Sequence, residues 1–146
     1  SWRRQETKSM VVLIDTNVIL DFLLTREPAY KAAFDIILKC ANKEIKGYIA
    51  FHSISILWYV LRKVPEEKRR NYLIDICNLL QVTAISHNEI IKAINMIEFK
   101  DFEDCLQDRC AKNVSADYII TRNTLDFTYS EVPAILPEDF LKILNT

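Results

Sequence analysis

The sequence predicts an α/β protein, a three-layer α/β/α sandwich around a mainly parallel sheet of about five strands. Two observations predict it. Short strand-like segments at 10–14, 48–51, 81–85, 117–121 and 133–136 alternate with longer helical stretches, the order expected of strands joined by crossover helices. The first run, Met10 to Ile14, is apolar at five successive positions and contains two valines, which suits a strand buried on both faces.

Each element has its own signal. Val18, Ile19, Phe22 and Leu23 recur at helical spacing after the first strand, and Thr25-Arg-Glu-Pro28 closes that helix in a turn. A second helix is expected over 28–42, opened by Pro28 at its first position, with Ala32, Ala33, Ile36, Ile37 and Cys40 facing inward. Gly47 ends the next loop, and the second strand follows at 48–51. Ser53 reads as the N-cap of a third helix running to about Lys63, and Pro65-Glu-Glu67 opens a fourth running to about Leu80. After the third strand, helices are expected over 88–99 and from 100–101 to 113. The fourth and fifth strands follow, and Pro137-Glu-Asp139 starts a final helix. Residues 1–9 are polar and basic and read as a flexible N-terminal extension, leaving one domain over 10–146.

Composition excludes several chemistries. The chain has one glycine, Gly47, so a P-loop, a dinucleotide fingerprint and a nucleophile elbow cannot be built. The four cysteines form no Cys-x-x-Cys pair and have no histidine at zinc spacing, which suits reduced, mostly buried thiols in a cytoplasmic protein. No apolar run is long enough to span a membrane. With a net charge of −1, any nucleic-acid contact must come from a local patch.

The chemistry-bearing position is Asp15, where the first strand stops and Thr16 and Asn17 lead into a helix. In open parallel sheets the carboxyl ends of strands form the ligand-binding edge. The same residue also fits a plain role at a helix start. Asp101 and Asp104 lie three apart in the first turn of the sixth helix and share a face. Asp101 stands between two roles, cap and ligand. Asp117 begins the fourth strand, so in a parallel sheet it falls at the edge opposite Asp15 and reads as structural. Thr121, Arg122 and Asn123, at that strand's far end, reach the Asp15 edge. Arg62, Lys63 and Arg122 are candidate phosphate contacts, Arg122 above the others, while Trp58 and Tyr59 read first as core aromatics.

Four blocks carry a family resemblance. They are Leu13-Ile-Asp-Thr-Asn-Val-Ile-Leu-Asp21, Ser53 through Tyr59-Val-Leu-Arg-Lys63, Lys100-Asp-Phe-Glu-Asp104, and Ala116-Asp-Tyr-Ile-Ile-Thr-Arg-Asn123. In this order the chain resembles PIN domains, and within them the VapC-like toxins of bacterial toxin–antitoxin pairs. The resemblance implies a metal-dependent endoribonuclease acting on single-stranded or structured RNA. It further implies Mg²⁺ or Mn²⁺ as cofactor, a small antitoxin protein as partner, and possible homodimers. Residue by residue it places Asp15, Asp104, Asp101 and Asn123 in the catalytic site, with Asp15, Asp104 and Asp101 as metal ligands. The family's remaining acid, three residues after the serine of the third helix, falls on Ile56, which can neither bind metal nor act as a base. An alternative reading follows from that departure: a catalytically impaired PIN scaffold that binds RNA or protein. A haloacid-dehalogenase-like phosphotransferase also ends its first strand in Asp, but needs a second acid where this chain has Asn17.

Overall fold

The computed structural model describes residues 9–145, so the expected extension lies almost wholly outside the described residues. Five strands form one sheet: β1 (Val11–Ile14), β2 (Lys46–Ala50), β3 (Gln81–Thr83), β4 (Tyr118–Ile120) and β5 (Ala134–Ile135). Their order is β3-β2-β1-β4-β5, and every pairing is parallel. Among the described residues seven α-helices flank them: α1 (Thr16–Leu23), α2 (Tyr30–Ala41), α3 (Phe51–Val60), α4 (Glu66–Leu79), α5 (His87–Ile94), α6 (Phe102–Asn113) and, after the last strand, α7 (Pro137–Leu144). A four-residue 3-10 turn, Thr124–Phe127, follows β4.

The continuous apolar run of β1 is explained by burial on both faces. Val12, Leu13 and Ile14 are all fully buried, and each such side chain contributes on the order of 1.5–3 kcal/mol. Side chains alternate across a strand, so Val12 and Ile14 join Ile36, Ile49, Leu57, Ile76 and Phe140 on one face. Leu13 joins Ala50, Cys110, Ile119 and Phe127 on the other. The two clusters are the two cores of the sandwich.

Gly47 owes its place to close approach. A Cβ there would come within 2.6 Å of Cys40 Sγ and 2.7 Å of Leu80 Cδ2, so a side chain would wedge α2 and the end of α4 away from the sheet.

Several boundaries move. β2 begins at Lys46 and passes straight into α3 at Phe51, with no loop between them. The cap position of α3 therefore falls on Ala50, and Ser53 sits inside the helix rather than capping it. α5 is shorter than expected; Ser86 caps it, its side chain accepting from the Glu89 N–H.

Candidate active site

The strand order reverses between β1 and β4: one half of the sheet grows outward through β2 and β3, the other through β5. Ligands in open parallel sheets sit outside the carboxyl ends of the strands at such a switch point. Asp15 and Thr121 each follow directly on one of those two strands. The Asp15 N–H donates to the Ile120 carbonyl at 2.9 Å, which locks their register.

Asp15 holds the cap position of α1, yet its side chain caps nothing. Both its oxygens turn to neutral donors. Gln107 Nε2 donates to Oδ1 at 2.8 Å, and Thr121 Oγ1 donates to Oδ2 at 2.8 Å. Thr121 Oγ1 in turn accepts the Asn123 N–H at 3.1 Å, so its proton is aimed at Asp15. The carboxylate is buried, 5% exposed, and fixed in orientation by two hydrogen bonds, with no cation paired to it among the described residues.

Asp104 approaches from α6. Burial pushes its carboxyl up to about 7, and the charges of Asp101, Asp15, Asp126 and Glu103 add to the rise. The acids of three segments thus influence one another at this edge. Asp101 caps α6: its Oδ1 accepts the N–H groups of Glu103 at 2.8 Å and Asp104 at 3.2 Å. Asn123 stands exposed at the start of the 3-10 turn and reaches the site through its backbone. Ile56 lies half-buried on α3.

Two polar ties set the walls. Thr16 Oγ1 and Ser53 Oγ lie 2.7 Å apart and join the N-termini of α1 and α3. His52 Nε2 donates to the Glu103 carbonyl at 3.0 Å and joins α3 to α6. Burial lowers the imidazole pKa, opposed by its bond to Glu103 and by the charges of Glu103, Asp101 and Asp15. A neutral ring that donates from Nε2 keeps a lone pair on Nδ1, which is buried without a partner.

Sequence reasoning missed Gln107 and Asp126. Gln107 stands three residues after Asp104 and therefore on the same helix face, a spacing that could have found it. Its Oε1 is buried and unpaired. Asp126 sits in the 3-10 turn, where no periodicity announces it. Arg122 is placed differently from its expected role: Nε bonds Asp21 Oδ2 at 2.6 Å, so its guanidinium is taken by a buried carboxylate. Asp117 is structural as expected, accepting the Val11 N–H at 2.8 Å at the opposite end of the sheet.

A hollow of about 1170 Å³ also opens at that opposite end, lined by Met10, Val11, Cys40, Gly47, Leu80 and Asp117 among others. Volume alone does not make it the reactive place, because its one carboxylate is already occupied by the Val11 N–H. All four cysteines are free. Burial lifts Cys40 to about 12 and Cys110 to about 11, so neither supplies a thiolate nucleophile at neutral pH.

Among the described residues no three His, Cys, Asp or Glu side chains close on a point tightly enough to hold a metal ion by themselves. The donor set nevertheless suits a hard cation that keeps much of its water. Mg²⁺ is commonly held by one or two carboxylates plus substrate phosphate, and Asp15 and Asp104 offer two carboxylates with no cation paired to either among the described residues.

Fold and site together define a class: a parallel α/β/α sandwich with carboxylates gathered at the switch-point edge. The PIN-domain model matches residues 11–125, and the chain belongs to that family. Among curated proteins it is similar to Ribonuclease VapC1 of Aquifex aeolicus, 27% identical over 139 residues, covering 92% of this chain and 96% of the relative. Solved structures share the fold. The VapBC-1 structure from nontypeable Haemophilus influenzae matches with a TM-score of 0.66 at 16% identity, covering 88% of this chain and 99% of that one. The VapBC2 structure from Rickettsia felis, bound to a promoter DNA fragment, matches with a TM-score of 0.65 at 16% identity, covering 87% and 98%. No helix among the described residues is long and apolar enough to cross a membrane.

Proposed function

We propose that this PIN domain is a divalent-metal-dependent endoribonuclease of the VapC-like toxin kind, acting on single-stranded or structured RNA in the cytoplasm. A small antitoxin protein would restrain it, and two copies would pair as a homodimer. One observation carries the reading: Asp15 and Asp104 stand near enough at the switch-point edge for the charge of Asp15 to raise the Asp104 carboxyl, and neither has a cation paired to it among the described residues. The name of the Aquifex relative and the VapBC complexes among the fold neighbours support the same reading.

The chain's own groups divide the work. Gln107 and Thr121 hold the Asp15 carboxylate at one angle, so that its oxygens need no reorganisation when a ligand arrives. Asp104 brings the second carboxylate. Asp101 fixes the first turn of α6 and so the direction of Asp104; its Oδ1 is spent on that task, which leaves Oδ2 as its contribution to a ligand. Asn123 orients Thr121 through its N–H. When bound by Asp15 and Asp104, Mg²⁺ or Mn²⁺ supplies charge neutralisation at the phosphodiester and a more acidic water.

The test is paired. Mn²⁺ should raise the melting temperature and support cleavage of a mixed RNA substrate. Asp15→Asn should remove both effects, with cleavage falling at least about 10³-fold. Cleavage that survives Asp15→Asn unchanged refutes the assignment. A second reading rests on Ile56, which stands where the family pattern has an acid: a scaffold that binds without turnover. It requires that Mn²⁺ neither stabilise the protein nor support cleavage, and that Ile56→Glu restore both.

A further inference from the structure

The nine residues Arg62-Lys-Val-Pro-Glu-Glu-Lys-Arg-Arg70 hold five of the chain's 19 cationic side chains and only two acids, in a protein of net charge −1. They join the C-terminal end of α3 to the first turn of α4. The cations do not share one role. Arg69 is internal: its NH2 group donates to the carbonyls of Arg62 and Val64, both at 3.2 Å, and its guanidinium lies 4.1 Å from the centre of the Trp58 ring. Arg70 is paired with Glu66. Arg62, Lys63 and Lys68 are exposed and have no carboxylate partner among the described residues.

Tyr59 stands beside them and is not a core residue: it is 65% exposed. The Arg62 guanidinium lies 4.4 Å from the centre of its ring, held there by a 3.1 Å bond to the Tyr59 carbonyl. An exposed aromatic ring with a pre-positioned guanidinium and ammonium groups without carboxylate partners nearby is the combination that single-stranded nucleic acid takes, stacking on the ring and pairing its phosphates with the cations. An acidic polypeptide would use the cations but has no base to stack on Tyr59.

The patch also follows along the chain from a segment tied to the acid edge. The first turn of α3 is tied to the site, Ser53 to Thr16 and His52 to Glu103. Tyr59 comes six residues after Ser53, about 9 Å further along α3 at helical rise, and Arg62 lies just past the helix end. Ile56 and Tyr59 stand three apart on one side of α3, and Arg62 and Lys63 follow in the turn that ends the helix.

We propose that the outer side of α3 and the turn into α4, from Ile56 and Tyr59 to Arg62, Lys63 and Lys68, is the track that holds single-stranded RNA leading into the acid edge. The track deepens the nuclease reading and rests on it for the direction of the strand. The test is binding of a fluorescently labelled oligoadenylate to the full chain in EDTA, where no cleavage can occur, over a range of salt. Tyr59→Ala should weaken binding about tenfold while Tyr59→Phe retains it. Arg62→Ala with Lys63→Ala should weaken binding and lower the slope of log affinity against log salt by about 1.4. Lys68→Ala, which leaves the α3–α4 turn untouched, should lower it by about 0.7. Unchanged affinity and slope in variants whose melting temperature is unaltered overturns the track. So does an equal loss of polyglutamate and RNA binding in Tyr59→Ala, which assigns the patch to an acidic protein. Mn²⁺-dependent cleavage alongside unaltered binding removes the track and spares the nuclease. RNA binding that depends on these side chains without any cleavage does the reverse.

Discussion

Two pairs of inward-facing aspartates are treated in opposite ways. Asp21 and Asp108 are almost wholly buried, and both are balanced: Asp21 by Arg122 and Arg26, Asp108 by Arg109. Asp108 also accepts the N–H groups of Glu131 and Val132, each at 3.0 Å, and so pins the loop before β5 onto α6. Asp15 and Asp104 have no such cation among the described residues. Asp15 has two neutral donors, and Asp104 has other acids for neighbours. A protein that places an arginine on a buried carboxylate twice, and does not do so at the switch point, leaves there the charge that the proposed divalent cation would balance. The deficit marks the site more sharply than any hollow in the surface.

The largest test of this contrast is on the balanced side. Asp108→Ala leaves Arg109 buried with only Glu131 to pair it and strands two backbone N–H groups. Removing one partner of a buried pair costs about 3–5 kcal/mol, which at this size lowers the melting temperature by about 10 °C or more. A thermal melt of Asp108→Ala within about 2 °C of the parent protein would show that burial of an aspartate says nothing about role in this molecule.

A smaller effect is expected at Gln107, which acts through Asp15. Gln107→Leu keeps the volume but removes the donor to Oδ1, leaving one oxygen of a buried carboxylate unpaired. Cleavage and Mn²⁺ affinity should each fall about 10- to 100-fold. Measuring Mn²⁺ affinity by the shift in melting temperature separates positioning from general damage: a purely structural glutamine would lower the melting temperature with and without the ion by the same amount.

What the sequence could tell divides along the same line. β1 was legible because a strand buried on both faces writes an uninterrupted apolar run, and Asp117 could be assigned to the far edge because parallel strands all point one way. Asp15 and Asp104 were legible as acids at the end of a strand and the start of a helix. What they lack was not. The pairing of Arg122 with Asp21 joins residues 101 apart in sequence, and it withdrew the residue that had looked like the best phosphate contact. Ser53 misled because β2 runs into α3 without a loop, so the residue that looks like a cap is one turn too late and bonds Thr16 instead. Tyr59 misled because an aromatic in an apolar helix reads as core, whereas α3 turns this one toward solvent.

The smallest expected effect is also the one with a sign. An ordinary aspartate ionises near 3.8, while Asp104 holds its proton until about pH 7. Between those values the folded protein binds one more proton than the unfolded chain, so this group makes stability fall as pH rises through the window. Below about pH 4 both states are protonated and the group contributes nothing; above about pH 7 the whole penalty is present. Asp104→Asn removes the ionisation and with it the penalty. The variant should therefore melt a few degrees above the parent at about pH 8 and together with it at about pH 4. Mn²⁺ should reverse the order at the higher pH, because the parent gains a cation that the amide cannot hold. If Asp104→Asn instead melts lower at every pH, Asp104 belongs with Asp108 as a structural carboxylate, and the deficit at the switch point shrinks to Asp15 alone.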